Sequence, residues 1–218
     1  MGRHEAVGGA WLRKLSPERR TPAPAAPPHR RLFHLAAASI FPALLIFFPK
    51  EPLLAASGAL LVVSLVGEYL RLRRPDLNRP FLTGLRLLLK GREDRSITGS
   101  TYVLASTVLV IGVMPQPIAV LALFYLAIPD PMAALVGERF GRHGLAGKSL
   151  EGTATFLVAA LIAGAVLVAT ALGTTFAVMA AGAVTAAFLE LMPARLDDNV
   201  RVPLGSGAVM WLASQVWA

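Results

Sequence analysis

The sequence predicts an all-α, polytopic membrane helix bundle of about seven spans with a polar active site on its cytoplasmic face, and three observations carry that prediction. Hydrophobic residues make up 55% of the 218 and charged residues 16%, and the apolar ones gather in long blocks rather than amphipathic stripes. Several blocks reach or approach the roughly 20 residues that a helix needs to cross a ~30 Å hydrocarbon core. The third observation is lopsided charge: of 21 Lys and Arg, only Lys50 falls on the side opposite the rest. Under the positive-inside rule this puts the N-terminus and the connections 71–99, 130–152 and 193–202 in the cytoplasm.

Residues 1–28 are Pro- and Arg-rich and end in TPAPAAPP, so they are expected to form a disordered or surface-lying arm; 29–218 are expected to form one integral membrane domain. The arm lacks signal-peptide organisation, because Pro49-Lys50-Glu51-Pro52, not a small-residue cleavage site, follows the first apolar run. That run, from about Leu32 to Phe48, is the first span, with Pro42 inside it; neighbouring helices satisfy the carbonyl a proline frees. The second runs from about Leu53 to Leu70 and stops at Arg71, Arg73 and Arg74, with Glu68 at ion-pairing distance in sequence from Arg71. Residues 71–99 alternate leucines with Arg and Lys, a pattern for an amphipathic helix on the bilayer surface.

Two short spans follow, from about Tyr102 to Val113 and from about Pro117 to Ile128. Pro129 and Pro131 then break the helix around Asp130, and a polar loop is expected as far as Gly152. Thr153–Leu172 and Thr175–Met192 are Ala- and Gly-rich spans suited to close packing in lipid. Pro203–Trp217 closes the bundle, with Trp217 at the far interface.

No cysteine is present, which excludes a thiolate nucleophile, a Cys-ligated metal and a disulfide framework. The net charge of +8 lies beside spans, where it sets topology and attracts anionic headgroups, so nucleic acid is not an expected partner. The candidate chemistry therefore lies in a few polar clusters. Asp130 at the proline break is a costly place for an acid unless it serves a site, though a helix cap is the plain alternative. Gly137, Gly141 and Gly144 with Arg139, Arg142 and Lys148 suit phosphate oxygens, or simply make a positive-inside connector.

Glu151 is either a partner of Lys148, an N-terminal helix charge, or a carboxylate that converges with Asp130 on Mg²⁺. Glu190, Asp197, Asp198 and Asn199 form a second oxygen-rich cluster, which Arg195 also suits as a plain ion-pair partner. His34, one turn after Arg30 and Arg31, is a proton shuttle or an interfacial polar residue. Glu93, beside Arg92, Asp94 and Arg95, reads as a surface charge.

Taken together, Asp130-Pro131-x-Ala133-Ala134-x-x-Gly137-x-x-Phe140-Gly141 followed by Lys148-Ser149-x-Glu151-Gly152 resembles the family of CTP-dependent membrane lipid kinases that includes dolichol kinase, phytol kinase and CTP-dependent diacylglycerol kinase. The resemblance extends from about Arg30 to Gly207. Arg30-Arg31-x-x-His34, Glu93 before Thr98-Gly99, and Asp197-Asp198-Asn199 with Pro203 support it. Two departures are an Arg-Arg pair where Arg-Lys is usual and Pro129 where a small residue usually precedes Asp130.

The resemblance implies transfer of the CTP γ-phosphate to the hydroxyl of a membrane lipid alcohol, with Arg30, Arg31, Asp130 and Gly137 at positions that match functional motifs. Asp130, with Glu151 or the Asp197-Asp198 pair, is expected to hold Mg²⁺. Gly137, Arg139, Gly141, Arg142, Lys148, Ser149 and Gly152 are the expected nucleotide-binding residues. Arg30, Arg31 and His34 join from the first helix, and Asp198 or Asp130 would accept the lipid's proton. A polyprenol, a phytol-like isoprenoid alcohol and diacylglycerol all satisfy these residues, and oligomeric state leaves no mark in them. The same loop is distantly similar to that of phosphatidate cytidylyltransferases, making a CDP-lipid synthase the alternative enzyme. A transporter of an anionic solute built on a broken helix is the non-enzymatic alternative.

Overall fold

A computed structural model describes residues 28–84, 96–145, 147–194 and 196–217. The chain is an all-α membrane helix bundle: α1 (Pro28–Phe47), α2 (Lys50–Arg73), a short α3 (Pro75–Gly84), α4 (Gly99–Val113), α5 (Gln116–Ala127), α6 (Pro129–Phe140), α7 (Leu150–Thr170), α8 (Phe176–Leu191) and α9 (Asp198–Trp217). A two-residue antiparallel hairpin, β1 (Gly144–Leu145) and β2 (Lys148–Ser149), pairs Gly144 with Ser149 and Leu145 with Lys148 between α6 and α7. Its turn uses Gly147 at φ +83°, a left-handed conformation that glycine adopts without steric cost. Four helical stretches, within α1, α2, the α5–α6 run and α7, are long and apolar enough to cross a membrane; α4 and α8 are shorter apolar helices.

The core axis is α5, in which every residue from Ile118 to Ala127 is buried. A helix that is apolar all round is stable only when other helices surround it, and α1, α4, α6, α7, α8 and α9 all pack on α5. Small residues bring the outer helices close: Gly164 of α7 lies against Met179 and the Tyr125 hydroxyl, and that hydroxyl donates to the Met179 carbonyl at 2.8 Å. The Ser149 and Thr175 side chains cap α7 and α8 by accepting from Gly152 N–H and Val178 N–H.

The expected break at Asp130 is the main correction to the fold. Pro129 and Pro131 do not open a long loop; they sit in the first turn of α6, where a missing N–H costs little because no intrahelical acceptor awaits it. With Ile128 still in helical conformation, α5 and α6 form a run from Gln116 to Phe140, and the connection proper shrinks to about Gly141–Ser149. The amphipathic helix expected over 71–99 is present as α3 as far as Gly84. Residues 85–95, with Glu93, and the arm 1–27 lie outside the described residues, as does Arg195.

Glu68 and Arg71 form the expected ion pair, but as the centre of a buried network rather than a surface contact. The Arg71 guanidinium donates to Glu68 at 2.5 Å, to the Ser96 carbonyl at 2.5 Å and to Asn78 at 3.3 Å, and it lies 5.0 Å from the Phe81 ring centroid. Glu68 accepts from the Thr98 N–H at 3.1 Å and the Thr98 hydroxyl at 2.7 Å. This cluster ties the end of α2 to α3 and to the start of α4. Removing one member of such a buried pair leaves the other charge uncompensated, so Arg71→Met is expected to cost about 3 kcal/mol. Thermal unfolding in detergent checks this, and an unchanged midpoint would contradict a structural role for the network.

Candidate active site

The start of α1, the start of α4, the α5–α6 junction, the hairpin, the end of α8 and the start of α9 come together, with Leu60 of α2 and Phe81 of α3 beside them. A cavity of about 700 Å³ opens there. It collects most of the residues expected from the sequence: Arg30, Arg31 and His34 from α1, Asp130, Gly137 and Gly141 from α6 and its end, Lys148 and Ser149 from β2, and Asp197 and Asp198 from the start of α9. Residues more than 160 positions apart in the chain thus share one site, as Arg31 and Asp198 show.

The charges are arranged in pairs. Lys148 stands between two carboxylates, 2.7 Å from Glu190 and 2.8 Å from Asp198. Burial acts to lower the Lys148 pKa, but the charges and hydrogen bonds of Glu190 and Asp198 outweigh it and hold the ammonium above the ordinary lysine value, so Lys148 is charged at neutral pH. The other oxygen of Asp198 accepts from Arg201, whose guanidinium also donates to the Met192 carbonyl at 2.7 Å. Arg31 pairs with Glu138, its Nε meeting no hydrogen-bond partner among the described residues. His34 Nε2 lies 3.7 Å from Asp130. Asp197 accepts from the backbone N–H and side-chain amide of Asn199, fixing the turn that starts α9.

The glycines have a demonstrable packing role. A Cβ at Gly137 would meet Ser149 Oγ at 2.7 Å, one at Gly141 would meet it at 2.9 Å, and one at Gly152 at 2.9 Å. The three therefore form a seat in which buried Ser149 is held while its oxygen caps α7. This seat locks α6 against the start of α7 and so fixes the backbone from which Lys148 projects. Gly152 belongs to the seat and not to the cavity wall.

Besides Gly152, three expected residues are not brought to the cavity. Arg139, in the last turn of α6, and Arg142, just beyond its end, are exposed and absent from the lining. Glu151 is also absent from the wall; its carboxylate accepts from the His143 ring at 2.7 Å and from the His143 backbone N–H, bracing the hairpin. Neither the expected Lys148 pairing nor convergence with Asp130 is seen for Glu151. Conversely, Glu138 and Thr98, Gly99 and Ser100 line the cavity without having been singled out as site residues, and Glu190 faces Lys148 directly. For Glu138 the signal was present: it lies eight residues after Asp130, a spacing that puts both on one helical face.

Five carboxylates, Asp130, Glu138, Glu190, Asp197 and Asp198, line the cavity against the three cations Arg30, Arg31 and Lys148. Arg201, paired with Asp198 from outside the lining, is a fourth cation, so carboxylates and cations are closely balanced and the acids are available to a divalent cation that accompanies a phosphate ligand. Among the described residues no three His, Asp or Glu side chains converge into a ready metal cage. Mg²⁺ does not require one, since it usually takes one or two carboxylates and completes its shell with water and phosphate oxygens. The donor set therefore fits Mg²⁺ carried in with a phosphate ligand.

Comparison with known proteins gives a partial likeness. No family model matches the chain, and no solved structure matches it. Phytol kinase of Synechocystis sp. (strain ATCC 27184 / PCC 6803 / Kazusa) is 35% identical over 106 residues, covering 45% of this chain and 46% of that protein, so the chain matches less than half the length of that relative. An uncharacterised protein of Rickettsia prowazekii (strain Madrid E) is 28% identical over 185 residues, 80% of this chain and 88% of that protein. The partial likeness to phytol kinase supports a lipid-kinase-like membrane protein.

Proposed function

We propose that this membrane protein transfers the γ-phosphate of CTP, as its Mg²⁺ complex, to the hydroxyl of a membrane lipid alcohol. The observation that carries this reading is a single cavity whose polar end holds five carboxylates and three cations and whose other walls are apolar. The likeness to phytol kinase supports phosphoryl transfer to a lipid, and the resemblance of the Asp130 to Gly152 pattern supports CTP as donor. Positive-inside bias supports a cytoplasmic position for the cavity end, where nucleotide is available.

Phosphoryl transfer needs little covalent help from the protein; it needs alignment and charge stabilisation. In this reading Asp130 and Asp197 are the carboxylates nearest to hand for Mg²⁺. Lys148, Arg30 and Arg31 stabilise charge on the phosphate oxygens. Entry of the anionic complex gives Lys148 an alternative to Glu190 and Asp198, and Arg31 an alternative to Glu138. Asp130, with His34 beside it, takes the proton from the lipid hydroxyl. Ser149 and its glycine seat hold Lys148 in place.

The test is purified protein in detergent with γ-labelled CTP, Mg²⁺ and separate lipid alcohols. Labelled lipid phosphate together with CDP is the expected result. CDP-lipid and pyrophosphate from a lipid phosphate would instead identify a cytidylyltransferase, and absence of turnover with every alcohol would favour a non-enzymatic carrier.

A further inference from the structure

The apolar half of the cavity has its own geometry. On α1 its lining recurs at Arg30, Phe33 and His34, Ala37 and Ala38, and Ile40 and Phe41, a single helical face. On α4 it continues from Gly99 and Ser100 to Val103, Leu104 and Thr107. At 1.5 Å per residue these faces extend roughly 15 Å from the charged end, about half of a ~30 Å hydrocarbon core. The wall stays apolar to its depth, because the Thr107 hydroxyl is spent on the Val103 carbonyl at 2.8 Å.

The cavity also opens sideways. Phe33, Ile40 and Leu60 line it and are nevertheless 48%, 53% and 50% exposed, so among the described residues the wall between α1 and α2 is incomplete. The packing explains the gap: α1 rests mainly on α5 and α2 mainly on α4, and the two helices leave a cleft between them. An apolar slot that begins among phosphate-binding charges and opens along helices toward lipid fits an amphiphile that enters from the bilayer without leaving it.

We infer that the cleft between α1, α2 and α4 is a lateral channel for the proximal tail of a single-chain lipid alcohol, whose distal tail passes out between Ile40 and Leu60 into the bilayer. The inference rests on the lipid-kinase reading above for the hydroxyl end. One chain is specified because the cavity, at about 700 Å³, is the size of a site for one small ligand, and the nucleotide's phosphates occupy its charged end. The channel reads the first ~15 Å of the tail, so distal length has little influence on recognition.

The absence of cysteine makes a direct test possible. Single-cysteine variants Ala37→Cys and Leu104→Cys place a thiol on each channel wall, and Val63→Cys, at a lipid-facing position that is 69% exposed and outside the cavity lining, is the control. In phosphatidylcholine nanodiscs, phytol is expected to slow alkylation by a small membrane-permeant maleimide several-fold at positions 37 and 104 and not at 63. Equal rates with and without phytol, or equal slowing at all three positions, would overturn the channel; equal protection by dioleoylglycerol would overturn its single-chain character. A measurement without substitutions stands beside it: a photoreactive long-chain alcohol should label peptides containing 33–41 and 99–107 of the unaltered chain, and labelling confined to other helices would also reject the channel. Protection without phosphoryl transfer would leave the channel in place and remove the kinase reading, whereas phosphoryl transfer with unprotected thiols would do the reverse.

Discussion

Asp130→Asn is expected to lower lipid phosphorylation by on the order of 10³-fold while leaving a folded protein, since removing one well-placed electrostatic group from a transition state costs that much in other enzymes. The substitution keeps shape and removes charge. Asp130 sits in the first turn of α6 with its side chain 41% exposed, so folding loses little more than a favourable helix-dipole interaction. Activity loses both a carboxylate for Mg²⁺ and the proton acceptor beside His34. Single-turnover assays on protein shown to be monodisperse separate these effects from misfolding, and near-normal turnover would remove Asp130 from the chemistry.

Lys148→Met should damage both function and stability, and a second substitution should separate them. Glu190 has a side chain only 9% exposed and Lys148 is 2.7 Å away, so loss of the ammonium leaves a mostly buried carboxylate without its cation. The expected destabilisation is about 3 kcal/mol, the lower end for one-sided loss of a buried pair. Adding Glu190→Gln removes the stranded charge and should restore much of the stability. Turnover should remain down by roughly 10²-fold or more in both variants, because the phosphate oxygens have lost a cation. Recovery of turnover along with stability would make Lys148 a structural residue only.

The number and order of the main helices were legible because bilayer thickness imposes a length on apolar blocks, and the common end of the charged residues was legible from the skewed Lys and Arg distribution. Local continuity was not. Pro129 and Pro131 read as a break because proline disrupts a helix interior, yet the same residues are tolerated in a first turn, and only packing on α5 decides which applies. The glycines invited a phosphate-loop reading for the same reason: composition records a missing side chain but not the atoms that require its absence, which are Ser149 Oγ at Gly137 and the Gly137 carbonyl with the Ser149 side chain at Gly141.

Of the readings offered for Glu151, the N-terminal helix charge fits its place in the first turn of α7, whereas the Lys148 pair does not form, since a three-residue spacing is favourable only within a continuous helix and Lys148 lies on a strand. Asp197 and Asp198 were correctly grouped but do different things: one shapes the turn before α9 and the other carries the cationic contacts. Two adjacent acids have no sequence mark that separates those roles.

The junction between α5 and α6 has a consequence for how such a protein diversifies. Asp130 is attached directly to a helix with no exposed residue between Ile118 and Ala127, so the position of the reacting end is tied to the most densely enclosed part of the molecule. Almost any change there disturbs every neighbouring helix. The stretch of α1 from Phe33 to Phe41 is less enclosed: Ala38 is buried against the core, but Phe33 and Ile40 are about half exposed. In the proposed reading the chemistry goes with the enclosed core and tail recognition with the more open stretch of α1, so single substitutions along α1 are expected to change tail preference while leaving the reaction unchanged.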